Sequence, residues 1–165
     1  MEYSYRFRLY PNKEQQNLIA KTCGCCRFVY NYFLSRRKEV YAATGNGLTY
    51  NACSKELTAL KIERPWLREV DATALQTAVK NLDKAYQSFF RGLKTGVRTG
   101  YPQFKSKHTS KACYTTKNNR STVAVINGKL RLPKLGLVKC RFSKQVEGRI
   151  LSATVTKSHS GKYFV

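Results

Sequence analysis

The chain opens with Glu2-Tyr3-Ser4-Tyr5-Arg6-Phe7-Arg8-Leu9-Tyr10-Pro11-Asn12, and this stretch decides how the fold begins. Apolar side chains occupy every second position from Tyr3 to Leu9, and polar side chains lie between them. A period of two residues is typical of a strand with one buried face, so we predict a strand over residues 2–10. Pro11 ends it.

Helical periodicity follows this strand. Asn12, followed by Gln15, has the spacing of a capping box, and it predicts the start of a first helix. We expect Gly24 to break or kink that helix, because glycine is a weak helix former. A second helix is predicted over residues 26–41 from apolar residues at helical spacing.

Two further helices are predicted before the middle of the chain. A short one is marked by apolar residues at positions 53, 57 and 60. Pro65-Trp66-Leu67 then predicts a turn with a large apolar anchor. The clearest helix covers residues 72–91, with Asp71 as its N-cap and Gly92 as its end.

Six short β-like runs complete the chain, at residues 112–116, 122–126, 129–132, 137–142, 150–157 and 162–165. Asn127-Gly128 lies between two of them and is typical of a two-residue hairpin, and Ser160-Gly161 predicts another tight turn. Strands on both sides of the helices predict an α+β fold, a small OB-like β-barrel interrupted by a helical bundle insertion. The predicted units are residues 1–11 (first barrel strand), 12–99 (helical and helix-turn-helix-like) and 100–165 (a basic loop and the remaining strands).

Positive charge is concentrated in the second half of the chain. The 165 residues carry 31 Lys or Arg and 9 Asp or Glu, a formal net charge of +22. Residues 84–165 hold 18 of these cations and a single acid, Glu147. Such a field is typical of proteins that bind nucleic-acid phosphates. An anionic membrane is the weaker interpretation, because no basic amphipathic helix is found, and a merely solvated basic surface is a further alternative.

Other partners are disfavoured by the composition. No apolar run approaches the roughly 18 residues of a membrane span. The N-terminus lacks the apolar core of a secretory leader. We therefore expect a cytoplasmic, nucleoid-associated prokaryotic protein with no membrane partner and no small-molecule substrate.

Binding residues are predicted on a loop, on a strand and on a secondary basic surface. The predicted nucleic-acid-binding residues are Arg91, Lys94, Arg98, Tyr101, Phe104, Lys105, Lys107, Lys111, Lys139 and Arg141. The rings of Tyr101 and Phe104 can stack on bases, and equally they can anchor the loop in the core. Lys139 and Arg141 alternate with apolar residues, which predicts that one sheet face carries both cations.

The secondary basic surface comprises Arg6, Arg8, Arg27, Arg36 and Lys38. For its helical members, an ordinary solvated helix face is the favoured alternative. We expect the basic loop of residues 91–111 to contribute more to binding than the cations of the helices.

Catalytic chemistry is not predicted. Metal-dependent cleavage of phosphodiesters needs clustered carboxylates, whereas Asp71 and Asp83 are interpreted as a helix cap and a helix-surface residue. The two histidines each stand alone in polar segments. Cys23 and Cys26 have C-x-x-C spacing, but no second such pair follows, so buried thiols are favoured over zinc ligands. We predict no catalytic residue, no metal ligand and no cofactor on this chain.

Several segments, taken together with their order and spacing, resemble one protein family. They are Tyr5-Arg6-Phe7-Arg8-Leu9-Tyr10-Pro11-Asn12, Cys26-Arg27-Phe28-Val29-Tyr30-Asn31-Tyr32, Leu75-Gln76-Thr77-Ala78, Asn81-Leu82-Asp83-Lys84-Ala85-Tyr86, Phe89-Phe90-Arg91 and Gly100-Tyr101-Pro102-Gln103-Phe104-Lys105-Ser106-Lys107. Across essentially its whole length the chain resembles the N-terminal part of TnpB, also called OrfB. These proteins are transposon-encoded RNA-guided DNA endonucleases related to type V CRISPR effectors.

The resemblance implies a β-barrel wedge domain interrupted by a helical recognition domain. In the family this half helps to hold guide RNA, the heteroduplex and a short flanking DNA motif through shape and backbone contacts. Family members continue into a RuvC-like nuclease domain with a zinc ribbon, which we expect to be missing here, and magnesium is expected only with that domain. The expected function is the nucleic-acid-binding half of a truncated transposase that does not cut. A stand-alone, nuclease-free DNA- or RNA-binding regulator is the alternative.

Overall fold

The computed structural model describes residues 2–165, and these contain three α-helices and seven strands. The helices are α1 (Lys13–Thr44), α2 (Tyr50–Glu63) and α3 (Ala72–Thr95), with a 3-10 helix at Pro65–Glu69. The strands are β1 (Arg8–Tyr10), β2 (Ala112–Lys117), β3 (Ala124–Ile126), β4 (Lys129–Leu132), β5 (Gly136–Arg141), β6 (Ser152–Lys157) and β7 (Tyr163–Phe164). All helices lie between β1 and β2 in the chain, so the predicted α+β fold with a helical insertion is confirmed.

The strands form one antiparallel sheet in the order β2-β6-β7-β1-β5-β4-β3. Strand β1 lies in its middle, where Leu9 is opposite Cys140 of β5 and Tyr163 of β7. Phe7 and Val165 extend this pairing with two backbone hydrogen bonds of 2.8 and 3.0 Å. The first strand therefore joins the later sheet, as predicted. The sheet curls into half a barrel, and within residues 2–165 its edge strands β2 and β3 do not pair with each other.

Helix α1 continues through Gly24, so the predicted break is wrong and two predicted helices are one. A glycine inside a helix costs about 1 kcal/mol relative to alanine. Ile19 and Phe33, on either side of it in the sequence, are fully buried, and burial of such side chains outweighs that cost. The capping box is confirmed, since Asn12 and Gln15 each accept a hydrogen bond from the other's backbone N–H, at 2.8 and 3.0 Å.

Helix α3 begins as predicted and ends later than predicted. The Asp71 carboxylate caps it by accepting a hydrogen bond from the Thr73 backbone N–H at 3.1 Å. Its end is Gly96, with φ of 73°, and not Gly92. Gly92 is buried, and a Cβ there would lie 2.6 Å from the carbonyl oxygen of Val97. This glycine therefore makes room for the chain to fold back beside the helix.

The six later strands lie within two residues of their predicted bounds. Asn127 and Gly128, with φ of 47° and 71°, form the predicted two-residue turn between β3 and β4. The first strand is shorter than predicted and starts at Arg8. Among residues 2–165, those before Phe7 are not paired with a neighbouring strand, and Phe7 itself pairs only with Val165.

The predicted turn after α2 is anchored by Leu67. Leu67 is fully buried, whereas Trp66 is 37% exposed and rests edge-on against the ring of Phe28 on α1. None of the helices within residues 2–165 carries an apolar stretch that would cross a bilayer.

Candidate nucleic-acid interface

Ion pairs are confined to the helices in the described part of the chain. Four are present: Lys21–Glu69, Arg36–Glu39 at 3.3 Å, Arg36–Glu56 at 3.4 Å and Arg37–Asp83 at 2.7 Å. Within residues 2–165, no cation beyond residue 83 has a carboxylate partner. The excess charge of the second half is therefore not neutralised by the protein itself.

Three helical cations, Lys21, Arg36 and Arg37, are already engaged with acids. Arg36 belongs to the predicted secondary surface, but hydrogen bonds to Glu56 and then to Glu39 raise the pKa of its guanidinium. Arg37 is buried and pairs with Asp83. Arg36 is consequently a poor candidate for phosphate binding, and the interpretation of this helix face as an ordinary one is favoured for it.

The exposed face of β1, β4 and β5 is rich in cations. We define the basic sheet face as Arg6, Arg8, Lys129, Arg131, Lys139 and Arg141. On β5, Lys139 and Arg141 are exposed while Val138 and Cys140 are buried, so the predicted alternation is confirmed. Their role as nucleic-acid ligands remains a prediction.

Strand register brings these cations together. Arg8 is opposite Arg141, and Lys129 is opposite Lys139. Directly opposed residues of an antiparallel pair have Cβ atoms about 5 Å apart, and like charges at that distance are destabilising. The face therefore holds charge that an anionic ligand would neutralise. Lys129 and Arg131 were not predicted, although they alternate with Leu130 and Leu132 in the same way as the cations of β5.

The loop after α3 is anchored by Tyr101. Its hydroxyl is hydrogen-bonded to that of Tyr86 at 2.8 Å, and its ring packs edge-on against Tyr86 and Phe89. Burial raises the pKa of the Tyr86 hydroxyl, so this phenol stays protonated at physiological pH. For Tyr101, the structure favours the anchoring role over stacking on a base.

Phe104 and Lys105 are held on the surface of α1. The backbone N–H and C=O of Lys105 both bond to the Asn31 side chain, at 2.8 Å each. Phe104 is 54% exposed, and the Lys38 ammonium lies 4.6 Å from its ring centre. The Lys105 ammonium lies 4.1 Å from the ring centre of Tyr30. Lys38 thus belongs with the loop, and Phe104 keeps the free ring surface that stacking requires.

The other predicted cations of the loop divide between two elements. Arg91 and Lys94 lie on α3, because that helix runs to Thr95, so the loop proper starts later than residue 91. We define the basic loop as residues 98–111, and its cations Arg98, Lys105, Lys107 and Lys111 are all exposed.

A pocket of about 270 Å³ lies where α1, α3, β2 and the basic loop meet. Arg27 and Lys111 line it, together with the thiols of Cys23 and Cys26. Burial raises the pKa of the Cys23 thiol to about 12, so this thiol is protonated at neutral pH. Residues 2–165 contain no cluster of three or more Cys, His, Asp or Glu residues that could hold a metal ion.

The two aspartates considered for catalysis have structural contacts. Asp71 caps α3, as described above, and Asp83 accepts hydrogen bonds from Arg37 and from the Gln87 side chain. His108 and His159 are exposed.

Comparison with known proteins identifies relatives of this chain. Residues 1–46 match the helix-turn-helix domain of the OrfB/IS605 type. In the structure the matched residues include β1 and the uninterrupted helix α1.

The alignments with two relatives extend well beyond residues 1–46 of this chain. "Putative RNA-guided DNA endonuclease InsQ" of Escherichia coli K12 is 30% identical over 98% of this chain and 39% of its own length. A "Putative RNA-guided DNA endonuclease" of Streptomyces pristinaespiralis is 32% identical over 98% of this chain and 40% of its own length. The chain thus spans about 40% of the length of these two proteins. "Virulence protein VsdF" of Salmonella dublin is 35% identical over 61% of this chain and 89% of its own length.

Proposed function

The chain belongs to the OrfB (TnpB) family, and we propose that these residues hold guide-type RNA and target DNA through their phosphates without cutting them. The relatives from Escherichia coli and Streptomyces pristinaespiralis are named RNA-guided DNA endonucleases, and the chain aligns with about two fifths of each. In RNA-guided recognition, base pairing with the guide determines sequence specificity, and the protein contacts the backbone and recognises its shape.

A single observation carries the proposal. The four acids that form ion pairs, Glu39, Glu56, Glu69 and Asp83, pair with cations of α1, while the basic sheet face and the basic loop have no carboxylate partner within residues 2–165. Unneutralised cations on a pleated face and on a loop favour contact with a phosphate backbone, because such contact needs charge and reach rather than a base-reading element.

A stand-alone DNA- or RNA-binding regulator is the second candidate. It is favoured by the Salmonella dublin relative, since 89% of that protein aligns with this chain. A regulator of this kind would select one DNA site, whereas a guide-dependent protein binds nucleic acids of different sequence about equally. Competition between unrelated duplexes of equal length separates the two functions.

We predict strongly salt-dependent binding with little sequence preference. If about six phosphates are neutralised, log K should fall with log salt with a slope of about −4 for single-stranded RNA and about −5 for duplex DNA. Fluorescence anisotropy titrations from low to moderate salt measure this slope. A slope of log K against log salt near zero for either ligand would contradict the proposal.

We also predict that residues 1–165 do not cleave DNA or RNA with Mg²⁺ or Mn²⁺. Asp71 and Asp83 are occupied by a helix cap and an ion pair, and cleavage by metal ions needs carboxylates grouped around the metal. The measurement is a gel assay with labelled substrates. Cleavage that co-purifies with the protein over two different columns, and is lost on Asp71→Asn or Asp83→Asn, would refute the prediction.

A further inference from the structure

One groove of the basic sheet face has the features of a built phosphate site. It has a volume of about 430 Å³ and is lined by Arg6, Phe7, Arg8, Arg141, Ser143 and Phe164. Three guanidinium groups and one hydroxyl are therefore the polar side chains at its surface, and no carboxylate is among them.

Arg8 lies at the centre of this groove. Its backbone is opposite Arg141 on one neighbouring strand and opposite Phe164 on the other. Neither Arg8 nor Arg141 has an acidic partner within residues 2–165. Like charges at directly opposed positions of two strands are destabilising, so an anion bound between the two arginines would stabilise the arrangement.

The side chain of Arg8 also has an unused donor. Its Nε is buried from solvent and has no hydrogen-bond partner in the structure. A buried N–H without an acceptor is costly, and the large majority of such groups in folded proteins are satisfied. A ligand oxygen between the two arginines would relieve the repulsion, and a turn of the Arg8 side chain toward that oxygen would satisfy this donor.

Aromatic rings fix the direction of the guanidinium groups. The Arg6 guanidinium lies 4.3 Å from the ring centre of Phe164, and that of Arg8 lies 5.4 Å from it. Arg8 is also 5.2 Å from the ring centre of Tyr10. Cation–π contacts of this kind hold the planar forks in place before a ligand arrives, which reduces the entropy lost on binding.

We propose that this groove binds one phosphodiester group of a nucleic-acid backbone, with Arg8 and Arg141 donating to its non-bridging oxygens. Arg6 adds charge at the edge of the groove, and the Ser143 hydroxyl adds a neutral donor. The assignment rests on the proposed function, because it makes this groove a defined contact of the same interface. It differs from general charge attraction in requiring the fork geometry of arginine.

Substitutions that keep the charge test this requirement. Arg8→Lys and Arg141→Lys are compared with Arg68→Lys, an exposed arginine of the helical part outside the proposed interface, using a short fluorescein-labelled single-stranded RNA of mixed sequence. We expect each groove variant to bind at least about tenfold more weakly at every salt concentration, with an unchanged salt slope, because a lysine keeps the charge and loses the fork. Arg68→Lys should stay within about twofold of the wild type.

Stability measurements separate a binding role from a structural one. We expect Arg141→Gln to weaken binding while its melting temperature is unchanged or raised, since the repulsion with Arg8 is removed. Weaker binding together with a lower melting temperature in all three groove variants (Arg8→Lys, Arg141→Lys and Arg141→Gln) would contradict the proposal, because the arginines would then be structural. Wild-type affinity in both lysine variants would also overturn it. Failure of the wild type itself to bind RNA would instead remove the proposed function.

Discussion

Replacing Arg6, Lys129, Lys139 and Arg141 with glutamine is expected to flatten the salt dependence of nucleic-acid binding by about 3.6 units of slope. The number follows from losing four phosphate contacts at about 0.9 each on duplex DNA. If the lines of the variant and the wild type meet near 1 M salt, the affinity at 0.1 M salt falls by about 10³- to 10⁴-fold. Anisotropy titrations of the same duplex with both proteins give the two slopes.

A matched variant controls for total charge. Lys55, Arg64, Arg68 and Lys80 are exposed cations of the helical part without an ion-pair partner in residues 2–165, and their replacement with glutamine removes the same four charges. We expect this variant to flatten the salt slope by less than about half as much as the sheet-face variant, since these residues lie outside the proposed interface. Equal flattening in two well-folded variants would mean that only net charge matters.

Removal of the Asp83 carboxylate is expected to produce the largest loss of stability. Arg37, whose side chain is 8% exposed, donates to Asp83 at 2.7 Å. Asp83→Ala leaves that guanidinium charged and buried without its partner, which should lower the free energy of unfolding by about 3–5 kcal/mol. Urea denaturation followed by circular dichroism measures the change.

Two further variants make the Asp83 experiment specific. Glu69→Ala removes the partner of Lys21 in a half-exposed pair and should cost less than about 1 kcal/mol. Replacing the buried pair as Arg37→Met with Asp83→Leu should recover much of the loss, because no buried charge is left. A loss as small for Asp83→Ala as for Glu69→Ala would show that solvent reaches Arg37 and that the pair is not structurally important.

Local patterns predicted much of the fold. The later strands, the Asn127-Gly128 turn and the caps at Asn12 and Asp71 depend on residues close in sequence, and each is present in the structure. The helix ends at Gly24 and Gly92 were predicted wrongly for one reason. In both cases tertiary packing, rather than the local preference of glycine, decides whether the helix continues.

The candidate interface was predicted less completely, because it depends on pairing between distant strands. Alternation along the chain identified Lys139 and Arg141, and the same pattern was present at Lys129 and Arg131. The opposition of Arg8 and Arg141 depends on a register between residues more than a hundred positions apart. The ion pair of Arg36 with Glu56, which makes Arg36 a poor phosphate ligand, likewise depends on how α1 lies against α2. Periodicity within one helix does not reveal this.

Lysine footprinting tests most directly whether nucleic acid occupies the basic sheet face and the basic loop. The protein is acetylated with and without saturating single-stranded RNA, and the modified lysines are quantified by mass spectrometry. The account predicts protection of Lys107, Lys111, Lys129 and Lys139, and unchanged modification of Lys13, Lys55 and Lys80 on the helices. Uniform protection, or protection confined to the helical lysines, would contradict it.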